Sequence, residues 1–525
     1  MSSQASPKLL EPLAIKAMLS DGRELALIDL REELIFSRSH LLWARSVPLS
    51  RLELRFARLV PRRDTRIVLC DDGDGLVERA VNILADAGYT DIASLRGGIA
   101  AWEKAGLELF SGINVPSKAF GEHIEHACHT PSVSAEELDG LMRSGADMVV
   151  VDSRPFDEFQ RVSIPGATNV PGAELVLRIH DIAPSPETLV VVNCAGRTRS
   201  IIGAQSLINA GLPNKVVALR NGTMGWTLAG LMPDSGKNKR FTEPSSGGLA
   251  FAKSAADRVA KRFGLMRIDA KALESFRADT TRTLYVFDVR DPTDYAAGHF
   301  SGAVNAPGGQ LVQATDQYAA TLGARIVLID DREVRAVMTA SWLKQMGWRD
   351  VFVLAASGSE KGRPPASVLG AAPPADRAIE AKGLSELVAK DRVIVIDLSL
   401  SPAYRKGHIP GAWFAIRTRL SHALAKIPMN GELVLTSEDG VLAGLAAGET
   451  RVPSRYLRGG NAAWKAAGFT LSTEPRMADE PLDYWPKPYE RADDAKGAMN
   501  EYLSWEVDLL PRIERDGTAR FAGRR

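Results

Sequence analysis

Four segments of the chain repeat one pattern, and this internal repeat constrains the fold more than any other feature of the sequence. Each copy opens with an apolar run that ends in an aspartate, at Asp29, Asp152, Asp288 and Asp397. A second marker begins 11 residues after each aspartate, at His40, Ser163, His299 and His408. A pattern that recurs in the same order predicts one structural unit written four times.

Each copy continues with a second apolar strand and then a helical pattern. The second strands end at Cys70, Cys194, Asp330 and Thr436, which lie 41, 42, 42 and 39 residues after the first aspartate, and we align these four residues with one another. In the first copy, Val77, Val81 and Leu84 follow at helical spacing. Strands that alternate with helices predict an α/β fold, in which each copy is a mainly parallel sheet flanked by helices.

The repeats and their connections predict four domains and a tail. The connections are polar and rich in Gly, Pro or Ser, as linkers usually are. We place domain 1 at 8–112, domain 2 at 132–236, domain 3 at 263–357, domain 4 at 378–474 and the C-terminal tail at 475–525. The tail carries no repeat, but its aromatic residues and a helical pattern around EYLSWEVDLL predict that it packs on the domains.

Composition excludes several classes of protein. The 65 Lys and Arg residues balance the 64 Asp and Glu residues, so a general nucleic-acid binder is not expected. No apolar run approaches the roughly 18 residues of a membrane span, and the first residues lack the pattern of a secretory signal. Three cysteines cannot form a disulfide framework, and we therefore expect a protein of the reducing cytoplasm.

The loop after the second strand of domain 2 carries the chemistry that the sequence predicts. A cysteine between a strand end and a helix start faces backbone N–H groups and the positive end of the helix dipole, which both favour an anion. At least one of the two arginines in the loop is expected to face a donor anion. Thr198 and Ser200 either donate hydrogen bonds to sulfur or cap the helix. The candidate residues are Cys194, as nucleophile, with Ala195, Gly196, Arg197, Thr198, Arg199 and Ser200 around it.

These motifs resemble those of the rhodanese sulfurtransferases, arranged in tandem. The Asp-x-Arg strand, the SIPGATNVP segment, the Cys-AGRTR loop and the Arg-x-Gly…Trp ending occur in the same order, and the resemblance covers about 8–474. It implies that Cys194 takes a sulfane sulfur, forms a persulfide and passes the sulfur on. The donor would be thiosulfate or a persulfide, and the acceptor a thiol, cyanide or a thioredoxin-like protein. No metal or organic cofactor is implied, and the oligomeric state is open.

Three further residues of domain 2 are expected to support the site. Asp152 and Arg154 are expected to pair and to position the loop, and Arg220 to brace loops near it. By resemblance to two-domain rhodaneses, domain 1 is expected to cover domain 2, with domains 3 and 4 as a second pair. Trp226 is expected in the core.

The other copies depart from the pattern. Cys70 opens the acidic sequence CDDGDG, and like charge there should raise the pKa of its thiol and repel anionic donors. Cys70 is therefore either a leftover thiol or the partner of Cys194 in a relay. Domains 3 and 4 contain no cysteine and cannot form a persulfide. They resemble inactive rhodanese domains that serve as scaffolds or regulatory modules.

The sequence also bears on two other functions. A cysteine phosphatase needs Cys-x5-Arg, but the sixth residue after Cys194 is Ser200 and the sixth after Cys70 is Leu76. A scaffold whose Cys194 is loaded by a partner protein stays open as the alternative to an enzyme. His123, His126, Cys128 and His129 cluster in the first linker, but their spacing matches no strong zinc motif, and a polar linker explains them better.

Overall fold

Each of the four repeats forms its own sheet. The structure is a computed structural model, and it describes residues 7–362, 364, 367–491 and 493–522. The strands of domains 1 and 2 are β1 (Lys8–Leu10), β2 (Leu25–Asp29), β3 (Arg45–Ser46), β4 (Ile67–Cys70), β5 (Ile92–Leu95), β6 (Ser132–Val133), β7 (Met148–Asp152), β8 (Thr168–Asn169), β9 (Leu189–Asn193) and β10 (Val216–Leu219). The helices up to the end of domain 2 are α1 (Pro12–Met18), α2 (Glu33–Phe36), α3 (Leu52–Leu59), α4 (Leu76–Asp86), α5 (Gly98–Lys104), α6 (Val115–Cys128), α7 (Ala135–Arg143), α8 (Phe156–Arg161), α9 (Leu175–Ile182), α10 (Thr198–Asn209) and α11 (Gly222–Leu228).

The second half of the chain repeats this order of elements. Its strands are β11 (Met266–Arg267), β12 (Leu284–Asp288), β13 (Val304–Asn305), β14 (Thr321–Leu322), β15 (Arg325–Asp330), β16 (Val351–Ala355), β17 (Ala378–Ile379), β18 (Val393–Asp397), β19 (Trp413–Phe414), β20 (Glu432–Thr436), β21 (Ser454–Leu457) and β22 (Arg476–Met477). Its helices are α12 (Ser246–Phe263), α13 (Ala270–Ala278), α14 (Pro292–Ala297), α15 (Gly308–Gln313), α16 (Val334–Gln345), α17 (Ala381–Ala389), α18 (Ser401–Lys406), α19 (Leu420–Leu424), α20 (Val441–Glu449), α21 (Gly460–Ala466) and α22 (Ala495–Asp516).

The four sheets share one strand order, which in domain 2 is β6-β10-β9-β7-β8 with every pair parallel. Helices cover both faces, as parallel strands joined by helical crossovers require. Among the strands named above, which all lie in the described residues, one pairs antiparallel: β14 of domain 3 joins the sheet of domain 1 beside β2. The predicted fold class, four mainly parallel α/β domains, is confirmed.

The strand register shows which residues of the four repeats are equivalent. Asp152 pairs with Asn193, whereas Asp29 pairs with Cys70 and Asp397 with Thr436. Cys70 therefore occupies the position of Asn193, and the position of Cys194 is taken by Asp71 in domain 1, Asp330 in domain 3 and Ser437 in domain 4. The predicted alignment of Cys70 and Thr436 with Cys194 is therefore wrong by one residue. The residues that follow them, Asp71 and Ser437, occupy the position of Cys194.

The domains pair differently from the expectation. Domains 2 and 3 share one hydrophobic core, whereas domain 1 contacts domains 3 and 4. The core of domains 2 and 3 includes Ala252, Ala255, Ala256, Val259 and Ala260 of α12. These residues recur at helical spacing, so α12 buries one apolar face between the two domains. The predicted pairing of domain 1 with domain 2 and of domain 3 with domain 4 is wrong, because the buried face of α12 joins domain 2 to domain 3.

The tail packs on the domains, as predicted. Its helix α22 lies against α6, the helix of the first linker, through an ion pair between Lys118 Nζ and Glu506 Oε1 at 3.0 Å. Lys16 and Glu108 of domain 1 hold the last turns of α22 by ion pairs with Asp516 and Arg512. In the described part of the chain, no helix combines the length and the apolar character that crossing a bilayer requires.

Candidate active site

The predicted nucleophile, Cys194, lies directly after β9 and four residues before α10 begins at Thr198. Its side chain is buried, and the residue is only 2% exposed. The Cys194 Sγ lies 3.5 Å from the hydroxyl oxygen of Ser200, and that hydroxyl donates to the Arg197 carbonyl at 2.8 Å. Ser200 is thus the residue of the loop whose hydroxyl is placed beside the sulfur.

The backbone N–H groups around Cys194 are free to bind an anion. The loop and the first turn of α10 present consecutive N–H groups, and within the described residues none of those from Ala195 to Ser200 has an acceptor. Unpaired N–H groups at the start of a helix, together with the helix dipole, form an anion-binding cradle. The geometry therefore suits a thiolate, or a persulfide that extends from it.

The equivalent loops of the other domains are filled by their own side chains. In domain 1, Asp71 accepts hydrogen bonds from the N–H groups of Gly73 and Val77, at 2.9 and 3.1 Å. In domain 3, Asp330 accepts from the N–H groups of Arg332 and Arg335, at 3.2 and 2.7 Å. These carboxylates take the place that an anionic ligand would occupy.

Domain 4 satisfies its loop in a similar way with smaller groups. The Ser437 hydroxyl accepts a hydrogen bond from the Ala443 N–H group at 3.3 Å, and the Asp439 carboxylate accepts one from the Val441 N–H group at 3.0 Å. Among the four loops, all within the described ranges, that of domain 2 alone keeps its cradle open.

Glycine lets the last helix of the domain close against the Cys194 loop. Gly222 has a φ of +54°, and a Cβ atom there would clash with the Cys194 carbonyl. The N–H groups of Thr223 and Met224 donate to the carbonyls of Cys194 and Ala195, at 2.9 and 3.0 Å. The glycine of the Arg-x-Gly motif is therefore needed for close approach, and it fixes the back of the loop.

The loop arginines are both bound by carboxylates. Arg197 donates to Glu122 of α6 through Nε and Nη2, at 2.8 and 2.7 Å, and also pairs with Glu125. Arg199 makes a bidentate pair with Glu158, at 3.1 and 2.9 Å. Because Arg197 turns toward α6, the expectation that a loop arginine faces the donor now rests on Arg199. Arg199 lines the pocket, but the Glu158 carboxylate already balances part of its charge.

Burial and charge shift the titration of the Arg199–Glu158 pair. Burial alone would raise the pKa of Glu158, but the Arg199 guanidinium and, more weakly, Lys487 outweigh it and lower this pKa to about 2. Burial works against the charge of Arg199 as well, and Glu158 more than compensates, so the pKa of Arg199 is raised. Both groups stay charged at every pH at which the protein would be assayed.

The C-terminal helix reaches the loop, a contact that no motif of the sequence predicts. The fully buried Glu506 accepts hydrogen bonds on Oε1 from Thr198 Oγ1 at 3.2 Å and from the Tyr502 hydroxyl at 3.0 Å, beside its ion pair with Lys118. Its second oxygen, Oε2, is buried without a partner and points at Gly196. Thr198 therefore holds the tail and does not point its hydroxyl at the sulfur.

These elements enclose a pocket of about 100 Å³ over Cys194. Domain 2, domain 3, the first linker and the tail all contribute to its walls. Its lining outside domain 2 consists of Ile113, Asn114, Lys118, Gln313, Trp485, Lys487, Pro488, Tyr489 and Tyr502. The one signal in the sequence that could have placed the tail here is its unusual number of aromatic residues.

The supporting residues lie behind the loop. Arg154 and Asp152 are buried and form a two-contact pair, at 2.9 and 2.6 Å, and Asn193 Nδ2 donates to the same carboxylate at 2.7 Å. This network ties the strand that precedes Cys194 to its neighbour. Arg220 is exposed and donates to Ser132 Oγ at 3.2 Å, so it holds the edge strand β6 and lies outside the pocket lining. Trp226 lies in the core.

The remaining cysteines are not placed beside Cys194. Cys70 is fully buried; burial is the main cause that raises the pKa of its thiol well above the usual range, and the Asp29 carboxylate adds to it. Cys128 ends α6, and burial raises its pKa too. In the residues that the structure describes, no three His, Cys, Asp or Glu side chains come together as metal ligands would.

The sequence profile of the rhodanese-like domain matches four stretches of the chain, 11–105, 134–229, 269–360 and 380–467. The chain belongs to the rhodanese family. The matched stretches hold the four sheets, and the second one holds the open loop of Cys194. The tail with Lys487, Tyr502 and Glu506 lies outside all four matches.

The chain is also similar to a solved structure and to curated proteins. A crystal structure of a thiosulfate sulfurtransferase from Pseudomonas aeruginosa superposes with a TM-score of 0.94 and is 46% identical, over 98% of this chain and 99% of that one. An HTH-type transcriptional regulator of Mycobacterium tuberculosis is 33% identical over 94 residues, which are 18% of this chain and 41% of the regulator. An uncharacterized protein of Bacillus subtilis is 32% identical over 95 residues, 18% of this chain and 74% of that protein. The similarity to each of these two curated relatives thus covers less than a fifth of this chain, and it covers less than half of the regulator.

Proposed function

We propose that the protein is a sulfurtransferase that moves a sulfane sulfur from a small donor such as thiosulfate to a thiol or cyanide acceptor through a persulfide on Cys194. The observation that carries this proposal is the open cradle of N–H groups around a buried cysteine, which the three other loops lack. The similarity to a thiosulfate sulfurtransferase over nearly the whole chain supports the same reaction.

The transfer proceeds in two displacements. The Cys194 thiolate attacks the outer sulfur of thiosulfate, a new S–S bond forms, and the old S–S bond breaks as sulfite leaves with its electron pair. The terminal sulfur of the persulfide is then an anion that the loop N–H groups stabilise. An acceptor such as cyanide attacks that sulfur, leaves as thiocyanate and returns Cys194 to the thiolate, so the cycle needs no external oxidant or reductant.

Domains 1, 3 and 4 are proposed to serve as the frame of this site and not as further catalysts. Their loops are filled by Asp71, Asp330 and Ser437, and domains 3 and 4 have no cysteine. Cys70 stands at the position of Asn193, one residue before the place of the nucleophile. We therefore infer that Cys70 is a structural thiol and not a member of a relay.

The proposal is tested by intact mass after exposure to thiosulfate. We expect the wild-type protein to gain the mass of one sulfur atom and to lose it on addition of cyanide. Cys194→Ser should gain nothing, whereas the matched variants Cys70→Ser and Cys128→Ser should behave as the wild type. Loss of the gain in Cys70→Ser as well would indicate a relay.

The alternative function, a scaffold whose Cys194 is loaded by a partner protein, makes the opposite prediction. Such a protein would gain no sulfur from thiosulfate under conditions in which a persulfidated donor protein still loads Cys194. A turnover of thiosulfate and cyanide by the wild-type protein that is lost in Cys194→Ser would exclude a purely carrier role.

A further inference from the structure

The pocket over Cys194 is lined by four basic side chains, of which three are already paired. Arg197 is bound by Glu122 and Glu125. Arg199 is bound by Glu158 at 2.9 Å, and Lys118 by the fully buried Glu506 at 3.0 Å. A paired cation attracts a further anion less strongly, because the neighbouring carboxylate cancels much of its field.

Lys487 of the tail is the remaining basic residue of the pocket. Its ammonium forms no ion pair with any residue that the structure describes, although the side chain is partly buried in the pocket wall. It lies close enough to Glu158 to contribute to the low pKa of that carboxyl group. A lysine in the wall of a small pocket, with an aromatic ring 5.9 Å from its ammonium and no direct ion pair among the described residues, is suited to bind an anionic ligand.

The position of Lys487 is fixed by the tail and not by domain 2. Its backbone N–H donates to Glu490 Oε2 at 3.1 Å, and the short helix Pro488–Glu490 follows it directly. Trp485 and Tyr502 lie beside each other, with ring centroids 6.2 Å apart, and together with Tyr489 they form the aromatic wall of the pocket. The tail therefore presents one cation on an apolar wall opposite the open N–H groups of the loop.

We propose that Lys487 binds the anionic end of the sulfur donor, so that the C-terminal tail completes the substrate site of domain 2. This inference rests on the proposed sulfur transfer and names the residue, outside all four rhodanese-like domains, that recognises the anionic end of the donor. The donor sulfur lies at Cys194 in the loop cradle, and the oxygen-bearing end faces Lys487. The pocket, about 100 Å³ in volume, holds a ligand of this size.

The test measures binding apart from transfer. Thiosulfate is titrated by calorimetry into the Cys194→Ser protein, which cannot react, and into the same protein with Lys487→Met. A hydrogen bond to a charged group contributes roughly 1.5–3 kcal/mol to the free energy of binding. We therefore expect Lys487→Met to raise the Kd for thiosulfate at least about tenfold. Lys487→Arg should keep the Kd nearer to that of the parent, because it retains the charge. Lys496→Met, on an exposed lysine of the same tail, is the matched control and should leave the Kd unchanged.

The outcomes separate this inference from the proposed function. An equal Kd for the Lys487→Met and parent proteins would overturn the role of Lys487, even if the wild-type protein forms its persulfide normally. Absence of thiosulfate binding to Cys194→Ser would overturn it as well. Failure of the wild-type protein to form a persulfide, with thiosulfate still bound through Lys487, would instead overturn the proposed reaction and leave the anion site standing.

Discussion

At the scale of single residues, the hydroxyl beside the sulfur is the feature most open to test. Ser200 Oγ lies 3.5 Å from Cys194 Sγ, whereas the neighbouring Thr198 hydroxyl is held by Glu506. The sequence predicts that each hydroxyl either donates to sulfur or caps the helix, but the Thr198 hydroxyl does neither, because it binds Glu506 of the tail. The sequence could not show this, because the partner of Thr198 lies 308 positions further along the chain.

We expect Ser200→Ala to slow formation of the Cys194 persulfide by about tenfold or more. The Ser200 hydroxyl, which donates to the Arg197 carbonyl in this structure, can turn its hydrogen to the sulfur once the thiolate forms, and a hydrogen bond to a charged group contributes about 1.5–3 kcal/mol. The measurement is the single-turnover rate with saturating thiosulfate, followed by rapid quench and mass analysis. Ser144→Ala, at an exposed helix end of the same domain, is the control. Equal rates for Ser200→Ala and the wild-type protein would show that the N–H groups alone stabilise the sulfur anion.

At the scale of elements, the most consequential contact is the one between α22 and α6. Glu506 is fully buried, and Lys118 compensates its charge. Burial disfavours the charge of Lys118, but the Glu506 carboxylate outweighs this and raises the pKa of the lysine. Removal of one partner of a buried ion pair leaves the other charge uncompensated, which costs about 3–5 kcal/mol.

We therefore expect Glu506→Gln to loosen the tail. Amide hydrogen exchange in α22 should become about a hundredfold faster, as a loss of about 3 kcal/mol in local stability implies. The double variant Lys118→Met/Glu506→Leu should restore much of the protection, because it removes both charges and keeps similar volumes. Unchanged exchange in the single variant would show that aromatic packing alone holds the tail.

The elements also show how far the sequence could predict the structure. The strands, helices and repeat boundaries follow from apolar periodicity, and the Cys194 loop from its place between a strand and a helix. The stripe of alanines on α12 lies within the second connection, which the sequence predicts to be polar, and it packs between domains 2 and 3. The contacts between α22, α6 and domain 2 depend on tertiary packing. A local pattern in one sequence does not predict which distant segments pack against each other.

At the scale of the whole molecule, the domains close into one assembly through charged groups buried between them. Arg417 of domain 4 binds Glu53 of domain 1, at 2.7 Å, and Glu24 of domain 1 accepts hydrogen bonds from Thr283 of domain 3. These contacts join segments that are far apart in the chain. The site of domain 2 thus depends on a frame to which all four domains contribute.

Glu32 makes the junction between domains 1 and 4 sensitive to pH. It is only 9% exposed, and the Thr418 hydroxyl of domain 4 donates to its Oε1 at 3.3 Å. Burial raises its pKa from 4.5 to about 7, and the nearby Asp483 carboxylate acts in the same direction. The folded protein therefore holds this proton more tightly than the unfolded chain does, so the contribution to stability is full below pH 4.5 and is lost as the pH rises through 7.

We expect Glu32→Gln to remove this dependence, because glutamine keeps the shape and hydrogen-bonding capacity of the neutral acid. A shift of one pKa unit corresponds to about 1.4 kcal/mol in the free energy of unfolding. The variant should therefore be more stable than the wild-type protein by up to about 3 kcal/mol at pH 8, and nearly equal to it near pH 4.5. Urea unfolding at a series of pH values measures the difference, with Glu103→Gln, an exposed glutamate of the same domain, as the control. A constant offset between Glu32→Gln and the wild-type protein at every pH would contradict this expectation, because it would mean that the pKa of Glu32 is the same in the folded and the unfolded protein.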